Sequence, residues 1–523
     1  MTDNALAAEP ADLEADAGDL ASFGYPQQLH RRLGSYASFA AGFSFVSILT
    51  TVFQLFAFGF SFGGPAFFWT WPMVFVGQLA VALTFAELSA RYPIAGCIYQ
   101  WSRRVSHAAI RSSRMSGHAA RTNGAVGWFA GWMMLIGQIV SVAAAAIALQ
   151  VVLPAIWSGF QLVGGSPDLT TTTGSTNAIV LAGILIAITT VINVLGVRLM
   201  SMINSIGVTC ELVGVVVLVI LLFSHAKRGP GVVFDTGGVA GHGAYVWPFL
   251  VSALMAAYVM YGFDSAGELS EETRSPRRTA PRAILRALYA SGVGGALLLV
   301  AALVAAPSLT DGNLATGGLP YVLTSRLGTG LGKVLLVDVV IAITVCTLAI
   351  QTAASRMAFS MSRDGVLPLS GALRRVSSRT GTPILPSIAV GVLALLILLI
   401  NLGQAQIFTA VTSVSVVLVY LAYLLVTGPV LIARLRGTLS KVPAGHFSLG
   451  RWAVPVNVLA VLWGLGMAVN MAWPRAEVYD PAGHHWYLRY FAVLLLAVVL
   501  LVGVVGYRRT SWQTAAVPAP LST

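Results

Sequence analysis

Apolar residues in this chain come in long unbroken runs, separated by short polar stretches. A helix needs roughly 20 apolar residues to cross the hydrocarbon of a bilayer. Runs of about that length fall at residues 38–63, 67–90, 126–153, 178–197, 202–224, 246–267, 283–306, 332–354, 384–402, 406–433, 453–473 and 487–507. The pattern predicts an all-α polytopic membrane protein with twelve transmembrane helices. One run ends unusually. After "VWPFLVSALMAAYV", the stretch "MYGFDSAGELSEETRSPRRTAP" (Met260–Pro281) sets four carboxylates and two glycines within eleven residues, and arginines follow at once.

Composition agrees with the pattern. The 523 residues are 57% hydrophobic and 10% charged, with mean hydropathy +0.81, whereas a soluble domain is nearer a quarter charged. A net charge of +12 would suit a nucleic-acid binder, but the basic residues sit in short loops between apolar runs, which is the signature of topology. With the N-terminus placed inside, 25 of the 31 Lys and Arg residues fall in inside segments and 6 in outside segments. Both termini are therefore expected in the cytoplasm, and no nucleic-acid partner is expected. The most basic stretch, Arg103–Gly124, reads as an inside anchor against anionic lipid.

Residues 1–33 carry six acids in the first twenty positions and no basic start followed by an apolar core. They read as a disordered acidic cytoplasmic tail, not a signal peptide. Cys97, Cys210 and Cys346 are too scattered for a metal site and read as small core-filling residues. Trp69, Trp71, Trp247 and Trp473 sit near span ends, as an interfacial belt requires. All eight histidines fall in tails or loops. Arginine outnumbers lysine 28 to 3, which together with much alanine and glycine suits a GC-rich bacterial source and a plasma-membrane location.

Spans 1 and 6 begin on opposite sides, five spans apart, so spans 1–5 and 6–10 can be inverted repeats. In such proteins a solute binds at mid-bilayer, where the first helix of each repeat is interrupted. Span 6 has its interruption in "YGFDSAG" (Tyr261–Gly267), since freed backbone groups survive in a membrane only where they line a protein cavity. In span 1 the candidate is Ser47–Thr51, with hydroxyls at Ser44, Ser47, Thr50 and Thr51 and an amide at Gln54. Two readings stay open there: a broken helix, or hydroxyls bonded to their own helix backbone.

Five ordered blocks then become informative: "FGYPQQLHRRLGSYASFAAGFSFVSIL", "FGGPAFFWTWPMVFVGQ", "FAELSARYPIAGCIYQWSRR", "YGFDSAGELSEETRSPRRTAPRAI", and "QTAASRMAFSMSRDGVLP" with "GTPILP". Spread over roughly residues 23–386, they resemble the amino acid–polyamine–organocation superfamily of secondary transporters, above all its amino acid/choline branch, which includes GABA and choline permeases. The resemblance implies a five-plus-five inverted repeat of the leucine-transporter type, with two further C-terminal helices and alternating access. It divides the chain into a transporter core over 34–433, spans 11 and 12 over 434–508, and a cytoplasmic C-terminal tail over 509–523. It implies a solute carboxylate held at Ser47, Ile48, Leu49, Thr50 and Thr51. Tyr258 becomes an aromatic gate, with Tyr261, Gly262 and Phe263 in the unwound part of span 6. The family usually has glycine where this chain has Thr51. Glu211 falls where several proton-coupled relatives carry lysine.

Ionisable groups within spans are functional candidates. Glu211 reads as a proton or cation site, or as a neutral acid bonded within the bundle. Asp264 reads as a partner for a solute amine or a coupling group, or as a cap on the broken helix. Glu87, Glu268, Glu271 and Glu272 sit beside arginines at cytoplasmic ends and read as a gate of ion pairs. The functional expectation is a secondary active permease for an amino acid or GABA-like amine, driven by protons or by sodium, with no other cofactor. The absence of a GxxxxGK[ST] loop from the sequence argues against an ATP-driven pump. The alternatives are a membrane acyl- or glycosyltransferase, a choline or polyamine carrier of the same fold, and a channel.

Overall fold

Hydrocarbon offers the backbone no hydrogen-bonding partner, so each apolar run closes its own bonds as a helix. The computed structural model describes residues 10–110, 117–241, 243–400, 407–479 and 486–509. The first half contains α1 (Pro10–Ser22), α2 (Ser35–Val46), α3 (Ile48–Gly63), α4 (Thr70–Arg91), α5 (Cys97–Ile110), α6 (Gly117–Ile147), α7 (Leu149–Ile156), α8 (Thr172–Leu195) and α9 (Val197–Ser224). The second contains α10 (Val246–Val259), α11 (Ser265–Glu268), α12 (Pro276–Ala305), α13 (Gly312–Arg363), α14 (Ser370–Leu373), α15 (Ile384–Ile400) and α16 (Ile407–Leu435). Then follow α17 (Ala453–Ala472), α18 (Ala476–Tyr479), α19 (Trp486–Arg489) and α20 (Phe491–Arg509).

Among the described residues, ten helical stretches are long and apolar enough to cross a bilayer, and α10 and α15 are shorter apolar helices. Together they fall on the twelve runs read from the sequence. The flank of the bundle is apolar at helical spacing: Ile184, Ile188 and Val191 on α8, Val213, Val216 and Ile220 on α9, and Leu462, Leu465 and Val469 on α17 are exposed. Exposed leucine, isoleucine and valine at this density suit contact with lipid rather than water.

α2–α3 and α10–α11 are each one apolar run cut in two. They start from opposite ends of the bundle, as inversion requires. α2 begins beside α11's exit, where Leu33 accepts from the Arg274 N–H at 3.0 Å and its own N–H donates to the Glu272 carbonyl at 2.9 Å. α10 begins at the other end, where the Tyr245 hydroxyl donates to the Gly63 carbonyl at 2.6 Å. α9, α12 and α13 pack around these two elements, and α17 packs on α4 and α16.

Several features depart from the sequence reading. From Pro10 onward the expected structureless tail is ordered. Asp19 accepts from Arg277 of α12 at 2.5 Å and Asp16 pairs with Arg31 at 3.9 Å, and Leu20 and Leu29 are buried. Residues 1–9 and the tail over 510–523 lie outside the described residues. Trp71 is a core residue rather than an interfacial one, because its indole N–H donates to the Gly292 carbonyl at 2.7 Å. Trp69, Trp247 and Trp473 are exposed. The basic stretch Arg103–Gly124 begins on α5, and residues 111–116 lie outside the described residues. Arg103 pairs with Asp364, and Arg104 stacks 4.9 Å over the Phe23 ring, so both turn to protein rather than lipid. His107 lies on α5 and His118 on α6, not in loops.

Candidate functional site

The first interruption is one residue wide. Ser47 has φ +36° and ψ 99°, a region that side chains with a Cβ rarely enter. Local bonds hold it there. Its Oγ donates to Glu211 Oε1 at 2.9 Å, lies 2.6 Å from Thr50 Oγ1, and accepts from the Thr50 N–H at 3.4 Å. The Leu49 N–H donates to the same Glu211 oxygen at 3.0 Å. The Thr51 N–H and hydroxyl both return to the Ser47 carbonyl, at 3.2 and 2.6 Å. Both readings of this segment therefore hold. The helix is broken, and Thr51 and Ser44 also bond back to it, Ser44 at 2.8 Å from the Ala40 carbonyl. Glu211 comes from the middle of α9 and is buried. It caps the N-terminus of α3 as a side chain caps any helix start.

The second interruption spans Met260 to Asp264. Gly262 has φ +90°, and a Cβ there would lie 1.9 Å from Phe45 Cδ1, so only glycine fits. The Gly262 N–H donates to the Tyr423 hydroxyl at 2.9 Å, and that hydroxyl donates to the Asp264 carboxylate. Tyr261 shares a hydrogen bond of 2.8 Å with Ser141 and one of 3.5 Å with Ser415. The Asp264 side chain makes no capping bond to α11. Its carboxylate is engaged with α16 instead.

The two interruptions lie side by side. The Phe45 ring stands edge-on to Tyr261 at 5.9 Å, and Tyr258 edge-on to Tyr261 at 5.7 Å. Ser265 donates to the Ala41 carbonyl at 3.0 Å, tying α11 to α2. Residues 47–51 and 258–264, far apart in sequence, are thus buried in adjoining elements.

The remaining acids separate into two sets. Glu87 is bonded to Arg91 and, at 2.9 Å, to Arg434. Glu271 receives both arms of Arg363 at 2.8 and 2.9 Å, and Glu272 pairs with Arg356 at 2.9 Å. These pairs join α4 to α16 and the end of α11 to α13. Glu268 behaves differently from the other three acids of the expected gate. No arginine reaches it, and neither of its oxygens meets hydrogen-bonding geometry. It faces Gln138 of α6, Asp264 and Cys97. Ligand atoms of Cys97, Asp264 and Glu268 lie within 4.8 Å of one another. A thiol and two carboxylates could hold a cation; carboxylates alone favour hard cations, while the thiol adds affinity for softer ones.

Sequence reasoning did not single out Tyr423, Ser141, Ser415, Gln138 or Asp364. Tyr420 and Tyr423, set in the aliphatic run of α16, were the one visible signal.

Two broken helices starting from opposite ends and meeting at their breaks are a recognisable arrangement, and comparison with known proteins decides it. Residues 33–500 match the family model described as amino acid permease. The chain belongs to the amino acid permease family. The permease is 30% identical over 483 residues to the amino-acid permease BAT1 of Arabidopsis thaliana, covering 87% of this chain and 88% of that one. The homolog of that protein in Oryza sativa is 29% identical over 494 residues, with 89% and 90% covered. A thiamine transporter of Schizosaccharomyces pombe, thi9, is 25% identical over 520 residues, with 92% and 84% covered. The family consists of multi-pass membrane transporters, not enzymes.

Proposed function

We propose that this permease is a secondary active transporter of a small amine-bearing solute, an amino acid or a related amine. The solute binds between the two breaks, and alternating access exposes that region first to one side of the membrane and then to the other. The observation that carries the reading is the juxtaposition of the Ser47 and Gly262 breaks, beside acids that no arginine neutralises. Relatives named for amino acids and for thiamine share a cationic nitrogen among their solutes, which suits such a site. The topology is twelve spans with both termini in the cytoplasm of a cell bounded by its plasma membrane. The pairs Glu87–Arg434, Glu271–Arg363 and Glu272–Arg356 then close the cytoplasmic side. The driving ion in this reading is the proton, and Glu211 and Asp264 are the groups that carry it.

The test uses the purified full chain in proteoliposomes with an imposed pH gradient, offered labelled amino acids, GABA, polyamines and choline in turn. Saturable uptake of at least one solute, abolished when the gradient is collapsed, is expected. Asp264→Asn and Glu211→Gln should each lower gradient-driven accumulation while leaving exchange. Full accumulation by both variants would remove these residues from coupling, and accumulation that follows only a sodium gradient would replace the proton.

A further inference from the structure

A helix start presents free N–H groups that attract a carboxylate. At the start of α3 those groups are already taken. Leu49 N–H and Ser47 Oγ donate to Glu211 Oε1, Thr50 N–H to Ser47 Oγ, and Thr51 N–H to the Ser47 carbonyl. The Ile48 N–H faces Glu211 as well. The acceptor is a side chain of α9, 162 residues away from Leu49 in sequence, and it is fully buried. Its second oxygen, Oε2, has no hydrogen-bond partner.

Charge points the same way. Among the described residues, Glu211, Asp264 and Glu268 take part in none of the ion pairs, all of which lie elsewhere. Asp338 of α13, another acid, lies against Gly214, one turn along α9 from Glu211, and Glu268 is faced by Asp264. A solute carboxylate entering here would find its donors occupied and would add a further negative charge without a cation to meet it. A cationic nitrogen would find the free Glu211 oxygen and the Asp264–Glu268 pair.

We infer that Glu211 fills the carboxylate subsite of this permease with the protein's own carboxylate, making it the residue that selects amines lacking a carboxylate over the corresponding amino acids. The inference rests on the permease reading above and narrows its solute class. Glu211 acts here as a specificity-determining residue. Its Oε1 keeps the bonds to Leu49 and Ser47 while Oε2 takes a proton or meets the cationic end of the solute, and the rest of the solute meets Tyr258 and Tyr261.

Decarboxylation pairs test this directly, because their members differ by one carboxylate: ornithine and putrescine, lysine and cadaverine, arginine and agmatine, histidine and histamine. Competition for uptake and direct uptake of each member are measured in proteoliposomes of the full chain. A carboxylate left without its donors costs a factor of roughly ten to a hundred in affinity, so the wild-type protein should prefer the amine of the transported pairs by about that factor. Glu211→Ala frees the α3 donors and should shrink or reverse the ratio. Equal or better uptake of the amino acid by the wild-type protein would overturn the inference, as would an unchanged ratio in Glu211→Ala. Should that variant fail to fold, the wild-type ratio decides alone. Absence of flux for every solute of both this set and the broader panel would instead refute the permease reading, and the inference with it.

Discussion

Replacing Gly262 with alanine probes the second break at its narrowest point. Two costs add. An L-residue held at φ +90° is strained by about 1–2 kcal/mol. The new methyl would also lie 1.9 Å from Phe45 Cδ1 and 2.2 Å from Cε1, where carbon atoms in contact stand roughly 3.5–4 Å apart. The Phe45 ring is buried against Tyr261 and cannot swing into an open space, so overpacking adds about 1–3 kcal/mol. The sum is roughly 2–5 kcal/mol of destabilisation. Equilibrium unfolding in detergent–SDS mixed micelles, read by tryptophan fluorescence, measures it. Phe45→Ala separates the two parts. Alone it costs about 3–5 kcal/mol for the lost packing, but in the double variant the clash is gone and only backbone strain remains. The double variant should therefore be less destabilised than the sum of the singles, by about 1–3 kcal/mol. A Gly262→Ala protein as stable as wild type, or a strictly additive cycle, would refute the steric account of the break.

Four further outcomes are expected. Arg356→Met strands Glu272 in a buried site and should cost about 3–5 kcal/mol, whereas Arg356→Met with Glu272→Leu should fall close to wild type in the same titration. Tyr25→Phe removes the 2.8 Å bond to Asp364 and should cost about 1 kcal/mol, with faster hydrogen exchange at the Leu33 and Arg274 amides. Burial, and then the charges of Arg103 and Arg104, lower the pKa of His107 on α5. Its neutral form is favoured on folding, so that contribution is present above the ordinary histidine value of about 6.5 and fades as pH falls below it; His107→Gln should flatten melting curves recorded across that window. Glu268→Leu should stabilise the fold by about 1–3 kcal/mol, since it removes a buried carboxyl that no cation pairs with, while transport falls.

The helices were legible because their signal is a long one-dimensional pattern that hydrocarbon enforces on every residue of a run. The span 6 break was legible for a related reason: Gly262 and Gly267 interrupt an apolar run together with Asp264. The span 1 break carried no glycine, and what holds Ser47 at positive φ is Glu211, 164 residues away. No local reading could supply that partner. Composition misleads at the N-terminal segment. Its acids resemble those of a disordered tail, yet Asp16 is buried, and its carboxylate accepts from the Ser275 N–H at 2.9 Å. Glu268 was grouped with its neighbours because arginines follow in sequence. On the short half-helix α11 it turns instead toward Cys97 and Gln138.

The division between paired and unpaired acids carries a functional argument. A buried ion pair is close to neutral for stability when its geometry is good, so Glu87, Glu271 and Glu272 can fasten α4 to α16 and α11 to α13 at little cost and, in the proposed alternating-access cycle, be broken together. A buried acid without a cation opposes folding, and folding alone gives no reason for three of them to cluster around two breaks. Glu211 offsets part of its cost by satisfying donors that the break in α2–α3 leaves free. Asp264 offsets part through Tyr423. Glu268 offsets the least, with Gln138 beside it equally without hydrogen bonds. In the proposed reading the group that completes this cluster is positive and comes and goes, whereas an arginine or lysine placed there by the sequence would have fixed the region permanently. A cationic solute, with a proton to balance the acids in its absence, meets both conditions.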